Sequence, residues 1–584
     1  MPVPKYTGAF GQAELLHLLR RSLFGVNNSD LKLYKGKSLD QVVDSLLNFS
    51  TTASEPLKAY TIKENNVQVD KLDKDVPFGT SWVNTPIINQ DPNPDGNRRE
   101  SLKAWRTGLM LNQESNLREI LTLFWHNHFS TETDEITSLF TYRTNKRHRD
   151  NCLASFKKIL TDITLDFTML RYLNGYVNSK AAPDENYARE IQELFAIGKG
   201  PDSGYTEDDI KEAAKIFTGW SYTTNKYDTT PATPSLPRLL PNNDPATPKE
   251  FTSRSGNHYY QDPKDPKKSY EKKFSAFYND KVIKHPDTVD SKGNLLTPTY
   301  DTMKAELDQF IDMLLATDEC ARHLVRRFYI FFIHYNITPE IEQNFIKPLA
   351  ADYKKDNYDT KKMLKAFFTS AEFYNSCNRG AMVKSPATFI VSLLRQFGMK
   401  LPTSDTIEAQ YAFRSTIKNY GINMGQDFMD APDVAGWPAY YQVPSFHEMW
   451  LNTATYPQRK TFYENMLKNG ITSGSLYFEA KSQGLKFTID FVEFTKGFSK
   501  PDDPNVLIDE SCALLFGAPV SQSVKDQLKK NYLLQQQSTD YYWTNAYNEY
   551  VANPSTTDPT AKKVPTILKD LYLDMCGAAE YNLC

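Results

Sequence analysis

Apolar residues spaced three and four apart recur along most of this 584-residue chain, and one proline-dense stretch cancels the pattern. Between Thr229 and Glu250, prolines stand at 231, 234, 237, 241, 245 and 248. Proline has no backbone donor and its ring opposes helix, so this stretch is predicted to be extended and at the surface. On either side the spacing predicts helices at 99–129, 151–173, 184–198, 301–335, 341–353, 360–376, 385–398, 457–469, 521–552 and 564–583. Ser38 with Gln41 and Thr206 with Asp209 read as helix starts, and Gly25 and Gly198 as helix ends. The predicted fold is mainly α: a multi-helix, bundle-like core with a Pro-rich irregular or short-β insertion at about 221–300. A second irregular loop, rich in Pro, Trp and Tyr, is predicted at about 421–455.

Length and composition bound the rest. A chain this long is expected to pack as an N-terminal helical lobe (1–220), the insertion (221–300) and a C-terminal helical lobe (301–584), joined as one unit. Hydrophobic residues reach 40% and aromatics 13%, enough for a large core. Lys and Arg total 68 against 71 Asp and Glu, a balance that argues against a nucleic-acid partner. No apolar run approaches the roughly 18 residues a spanning helix requires. The start, Met1-Pro-Val-Pro-Lys, lacks an apolar export segment, which predicts a cytoplasmic protein. A leader already removed, or export alongside a partner, would place it in the periplasm or outside the cell. The six cysteines form no zinc or redox spacing, and free buried thiols are expected, although Cys576 and Cys584 are near enough in sequence to pair.

Two helical segments are unusually polar. In Trp125-His-Asn-His-Phe129, His126 and His128 diverge by about 200° on an ideal helix. They meet only if the helix ends there, where they would bind a metal, act as acid and base, or close the helix end on backbone carbonyls. In Glu185-Asn-Tyr-Ala-Arg-Glu-Ile-Gln-Glu193, Asn186, Glu190 and Glu193 share a face and Glu185 can pair with Arg189. One reading joins both segments into an interior site: His126, His128 and Glu190 hold a divalent metal, and Arg189 assists hydrolysis. In that reading Glu185, Asn186 and Glu193 bind substrate. The other is a salt-bridge network between helices. Trp437, with Tyr440 and Tyr441, is either a stacking platform for a sugar or a plug in the core. Arg20 and Arg21 would bind an anion or cap carbonyls.

Several of these segments carry a resemblance. Leu18-Leu-Arg-Arg-Ser-Leu-Phe-Gly25, Leu117-Arg-Glu-Ile-Leu-Thr-Leu-Phe-Trp-His-Asn-His-Phe-Ser130 and Glu185-Asn-Tyr-Ala-Arg-Glu-Ile-Gln-Glu-Leu-Phe195 come first. Gly204-Tyr-Thr-Glu207, Ala213-Ala-Lys-Ile-Phe-Thr-Gly-Trp220, Lys384-Ser-Pro386, Gly425-Gln426 and Pro432-Asp-Val-Ala-Gly-Trp-Pro438 follow. In this order they resemble the uncharacterised bacterial domain-of-unknown-function family 1800 over nearly the whole chain. Relatives commonly carry a His-Asp pair where this chain has Asn279-Asp280, so no role is expected there. The resemblance implies a partner, a secreted phosphatase- or sulfatase-like protein encoded nearby, and no settled activity. Three functions are therefore open: an enzyme with an interior His/Glu/Arg site, a helical accessory to that partner, and a carbohydrate-binding module using Trp437.

Overall fold

The structure, a computed structural model, describes residues 3–584 except 50–52, 65–66, 86, 88–92, 135, 201, 221–255, 400–406 and 473–485. The proline-dense stretch lies outside the described residues. Elsewhere the fold is mainly α, with small antiparallel two-stranded sheets. The described part of the insertion holds two such sheets. Gln261–Asp262 pairs with Asp265–Ser269, and Glu271–Lys273 pairs with Val282–Lys284.

Several long periodic runs are divided where a short polar side chain competes for the backbone. The 99–129 run becomes two helices, Asp95–Leu111 and Arg118–His128. Asn112 Nδ2 donates to the Gly108 carbonyl at 2.9 Å and ends the first, while Asn116 Oδ1 accepts the Arg118 N–H and starts the second. Asp166 caps Phe167–Tyr172 and separates it from Phe156–Thr164; Thr317 likewise separates Tyr300–Ala316 from Asp318–Phe332. The apolar stripe survives each break because both halves bury it, so periodicity alone does not reveal the break. The Ser38 and Thr206 capping boxes are present.

Helices that lacked a sequence signal include Ile407–Asn423, Pro504–Leu515, Ser138–Asp150 and Asn28–Tyr34. The first buries polar as well as apolar residues: Lys418 reaches Glu100 at 2.6 Å, and a Cβ on Gly108 would lie 2.7 Å from Arg414. A helix enclosed on several sides shows little amphipathic contrast.

One continuous apolar core extends from Leu15 near the start to Tyr581 near the end. A satellite cluster gathers Trp82, Trp105, Phe140 and Tyr142. The first helix, Gln12–Ser22, docks through a close approach: Gly25 has φ +85°, and a Cβ there would lie 2.5 Å from Ser392 Cα. Only glycine combines that backbone angle with that proximity. It sets the helix carrying Arg20 and Arg21 against the Pro386–Gln396 helix.

Candidate functional site

Basic residues at a helix C-terminus complement its dipole, and Arg20 and Arg21 occupy the last turn of Gln12–Ser22. Beside them a cavity of about 40 Å3 has apolar walls from Ile120, Leu123, Phe331 and Val383, with polar groups from Ser385, Tyr440, His447 and Cys584 among them. A buried water needs only about 10–15 Å3, so the space suits one small polyatomic group. Two further basic residues, Lys384 and Arg459, are buried close to Arg20 and Cys584, although neither lines the cavity.

Among the described residues no acidic side chain pairs with Arg20, Arg21, Lys384 or Arg459; their polar contacts go to carbonyls, an amide and a thiol. Arg20 donates to the Ala513 carbonyl, and Arg21 to the Asn378 carbonyl at 2.9 Å. Lys384 Nζ donates to the Tyr581 carbonyl at 2.6 Å and lies 4.0 Å above that ring. Arg459 donates to the Lys384 carbonyl at 2.7 Å and to Asn582 Oδ1 at 3.3 Å. Burial holds Lys384 down to about 7, opposed by negative charge at Cys584 and Cys576 and reinforced by Arg20 and Arg459. It lowers Arg459 to about 9 and Arg20 to about 10.

Donors outnumber acceptors here. Arg21 Nε, Arg459 Nε, Gln426 Nε2 and His447 Nε2 are buried without a partner. His447 Nδ1 accepts the Val383 N–H at 3.3 Å, so its proton is on Nε2. Burial lowers His447 to about 4, which keeps the ring neutral at pH 7. The start of the Pro386–Gln396 helix adds no free donors: Gln426 Oε1 takes the Ala387 N–H and Ser385 Oγ that of Thr388. A contrast lies nearby, where Glu119 is buried between Arg106 and Arg149 and lowered by both, against its own burial.

The sequence candidates fall in three other places. His126 and His128 leave opposite sides of Arg118–His128. His126 bonds the Met429 backbone, with its ring 5.6 Å from Trp437 and 6.4 Å from His148. His128 Nε2 meets the Phe195 carbonyl at 2.9 Å, while His323 Nε2 meets that of Leu194 at 2.8 Å. These carbonyls belong to the wide π-turn Ile191–Ala196 that continues Asn186–Glu190. Burial lowers His126 to about 4 and His128 well below its usual value, so both are neutral at pH 7.

Arg189 pairs with Glu207 at 2.7 Å and Glu185 at 3.2 Å on a solvated rim, and Glu193 pairs with Lys199. Asn186 Nδ2 donates to the Leu173 carbonyl. Glu190 is half-buried, raised by burial and by Glu193. His126, His128 and Glu190 do not gather as a ligand set. The described group that does, with ligand atoms within 4.8 Å of one another, is His258, His285 and Glu306.

Trp437 is 1% exposed, leaving no open stacking face. Its backbone N–H donates to Asn127 Oδ1 at 3.0 Å, and a Cβ on Gly436 would lie 2.4 Å from that oxygen. Thr133 Oγ1 donates to the Met429 carbonyl at 2.6 Å, and Lys103 holds Asp427 at 3.0 Å together with Asp430. These contacts fix the loop that delivers Tyr440 to the basic cavity. All six cysteines are free, Cys576 and Cys584 included.

In the sequence Arg20 and Arg21 stand out as adjacent charges, and nothing links them to Lys384-Ser-Pro386 or Gly425-Gln426. Arg459 and His447 carried no signal. Residues 17–564 match a family model described as protein of unknown function (DUF1800). No curated protein and no solved structure matches the chain.

Proposed function

The chain belongs to the family described as protein of unknown function (DUF1800), and from that premise we propose that it binds an anionic group in the cavity between Arg20, Arg21 and the Lys384-Ser385 turn. The observation carrying this reading is four clustered basic side chains with no Asp or Glu partner among the described residues, facing Cys584 as their compensating group and flanked by buried donors that lack acceptors. A buried donor without an acceptor costs about 1–3 kcal/mol, and an anion relieves several at once. The size of the cavity suits a phosphate, sulfate or carboxylate head. Arg20 and Arg21 supply charge, Tyr440 supplies a hydroxyl, and neutral His447 offers an N–H.

Phosphate and sulfate are also the groups that a phosphatase- or sulfatase-like partner would release, so an accessory role beside such a protein suits this chemistry. The interior hydrolytic site on His126, His128 and Glu190 has less support: both rings are engaged with backbone, and the three do not gather.

The test is calorimetric titration of the full chain with sulfate, phosphate and acetate at fixed ionic strength. Saturable heat is expected, weakened roughly tenfold or more in Arg20→Gln and Lys384→Met. Absence of saturable heat, or variants that bind as the wild type does, would overturn the reading.

A further inference from the structure

A second polar cluster lies away from the basic cavity, where the insertion meets the helical core. His258 precedes the first insertion sheet, Lys272 is on Glu271–Lys273, His285 follows Val282–Lys284, and Glu306 is on Tyr300–Ala316. All four are at most 1% exposed. Polar groups this dry are retained only where they satisfy one another or hold something.

Both imidazoles aim at the same carboxylate oxygen. His258 Nε2 is 2.9 Å and His285 Nδ1 3.3 Å from Glu306 Oε2. Ligand bonds of about 2.0–2.1 Å in a tetrahedral arrangement place neighbouring ligand atoms about 3.3 Å apart, close to these separations. The surrounding bonds fix each group's orientation. Thr218 Oγ1 donates to the Lys215 carbonyl at 2.6 Å and accepts the Tyr259 N–H at 2.7 Å. The ring of His258 therefore uses its Nδ1 proton on the Thr218 carbonyl at 2.8 Å, turning Nε2 toward Glu306. Lys272 Nζ holds the other carboxylate oxygen, Oε1, at 2.5 Å and the Tyr259 carbonyl at 2.8 Å. A ligand histidine braced by a carbonyl and a ligand carboxylate braced by a donor are the outer-shell supports that metal sites use.

We propose that His258, His285 and Glu306 bind one divalent metal ion of the zinc class, pinning the insertion to the Tyr300–Ala316 helix. Two imidazoles and a carboxylate form a borderline-soft set that suits zinc and cobalt better than magnesium or calcium. Next to His258 is a space of about 210 Å3, lined by Lys180, Tyr259, Tyr260 and Asp262 among others. An ion there would tie together positions 258, 285 and 306, in a region whose strands are largely exposed. The rival occupant is a proton shared between His258 Nε2 and Glu306 Oε2, and the experiment separates the two.

Chelator-treated full chain is dialysed against zinc, then cobalt(II), and its metal content measured. One equivalent is expected in wild type, lost in both His285→Asn and Glu306→Gln. The cobalt form of the wild type is expected to show visible d–d bands without near-ultraviolet thiolate charge transfer, a readout independent of how the variants fold. No bound equivalent, an equivalent that survives both substitutions, or a thiolate band would overturn the site and leave the shared proton.

Discussion

Replacing Lys384 with Met removes an ammonium that the fold drives toward neutrality. Its proton leaves near 10.5 in an unfolded chain and at about 7 in the folded one. Between these values the unfolded chain binds more protons than the native one, so stability rises with pH across the window and is lowest below pH 7. At 1.36 kcal/mol per unit, the Lys384 contribution changes by about 4 kcal/mol between about pH 6.5 and pH 10. With 4% exposure, little of this is screened by solvent. The Met variant lacks the proton, so its stability relative to wild type should be greatest at the acid end and fall by about 4 kcal/mol at the alkaline end. The lost bond to the Tyr581 carbonyl adds a constant offset. Urea unfolding of both proteins over this range, in chloride buffers, measures the difference. Sulfate beside the ammonium would raise its pKa, flattening the wild-type profile. The variant should gain only the general stabilisation that sulfate gives any protein. A difference that does not vary with pH would refute the reasoning, because Lys384 would then hold its proton equally in both states.

Glu119→Gln should destabilise by about 3–5 kcal/mol, since Arg106 and Arg149 lose their shared buried counter-charge; chemical denaturation checks it. Gly436→Ala combines φ +98° with a Cβ 2.4 Å from Asn127 Oδ1, and should cost about 1–3 kcal/mol in the same assay. His128→Phe keeps the ring packed against Phe124 and Phe129 but strands the Phe195 carbonyl, for a loss of about 1–3 kcal/mol. Nuclear magnetic resonance should show His126 and His128 neutral down to about pH 5, and titration of either near 6.5 would contradict their burial.

The class of fold was legible because apolar spacing and capping residues are local properties. Ser38, Thr206 and Gly198 each mark a boundary through their own side chain or backbone preference. Division of the 99–129 run was not legible, because Asn112 and Asn116 interrupt the backbone without interrupting the stripe. The Ile407–Asn423 helix was hidden for the opposite reason: burial on several faces erased its contrast. At the candidate site, Arg20 and Arg21 stood out as adjacent charges. What makes them unusual, the lack of an Asp or Glu partner among the described residues for them and for Lys384 and Arg459, is a property of three-dimensional neighbours. His258, His285 and Glu306 are isolated in sequence and meet only through a strand pair and a helix.

The basic cavity draws its walls from residue 20 at one extreme and residue 584 at the other, with 385, 440 and 447 between. Such a pocket has no partial form: a molecule whose opening helix has come loose, or whose closing segment has frayed, no longer has it. If an anion binds there as proposed, its occupancy couples the Gln12–Ser22 helix to the segment around residue 584 and resists the loosening of either. Protection of Gln12–Ser22 and of the last residues from proteolysis should therefore rise together, at one common ligand concentration.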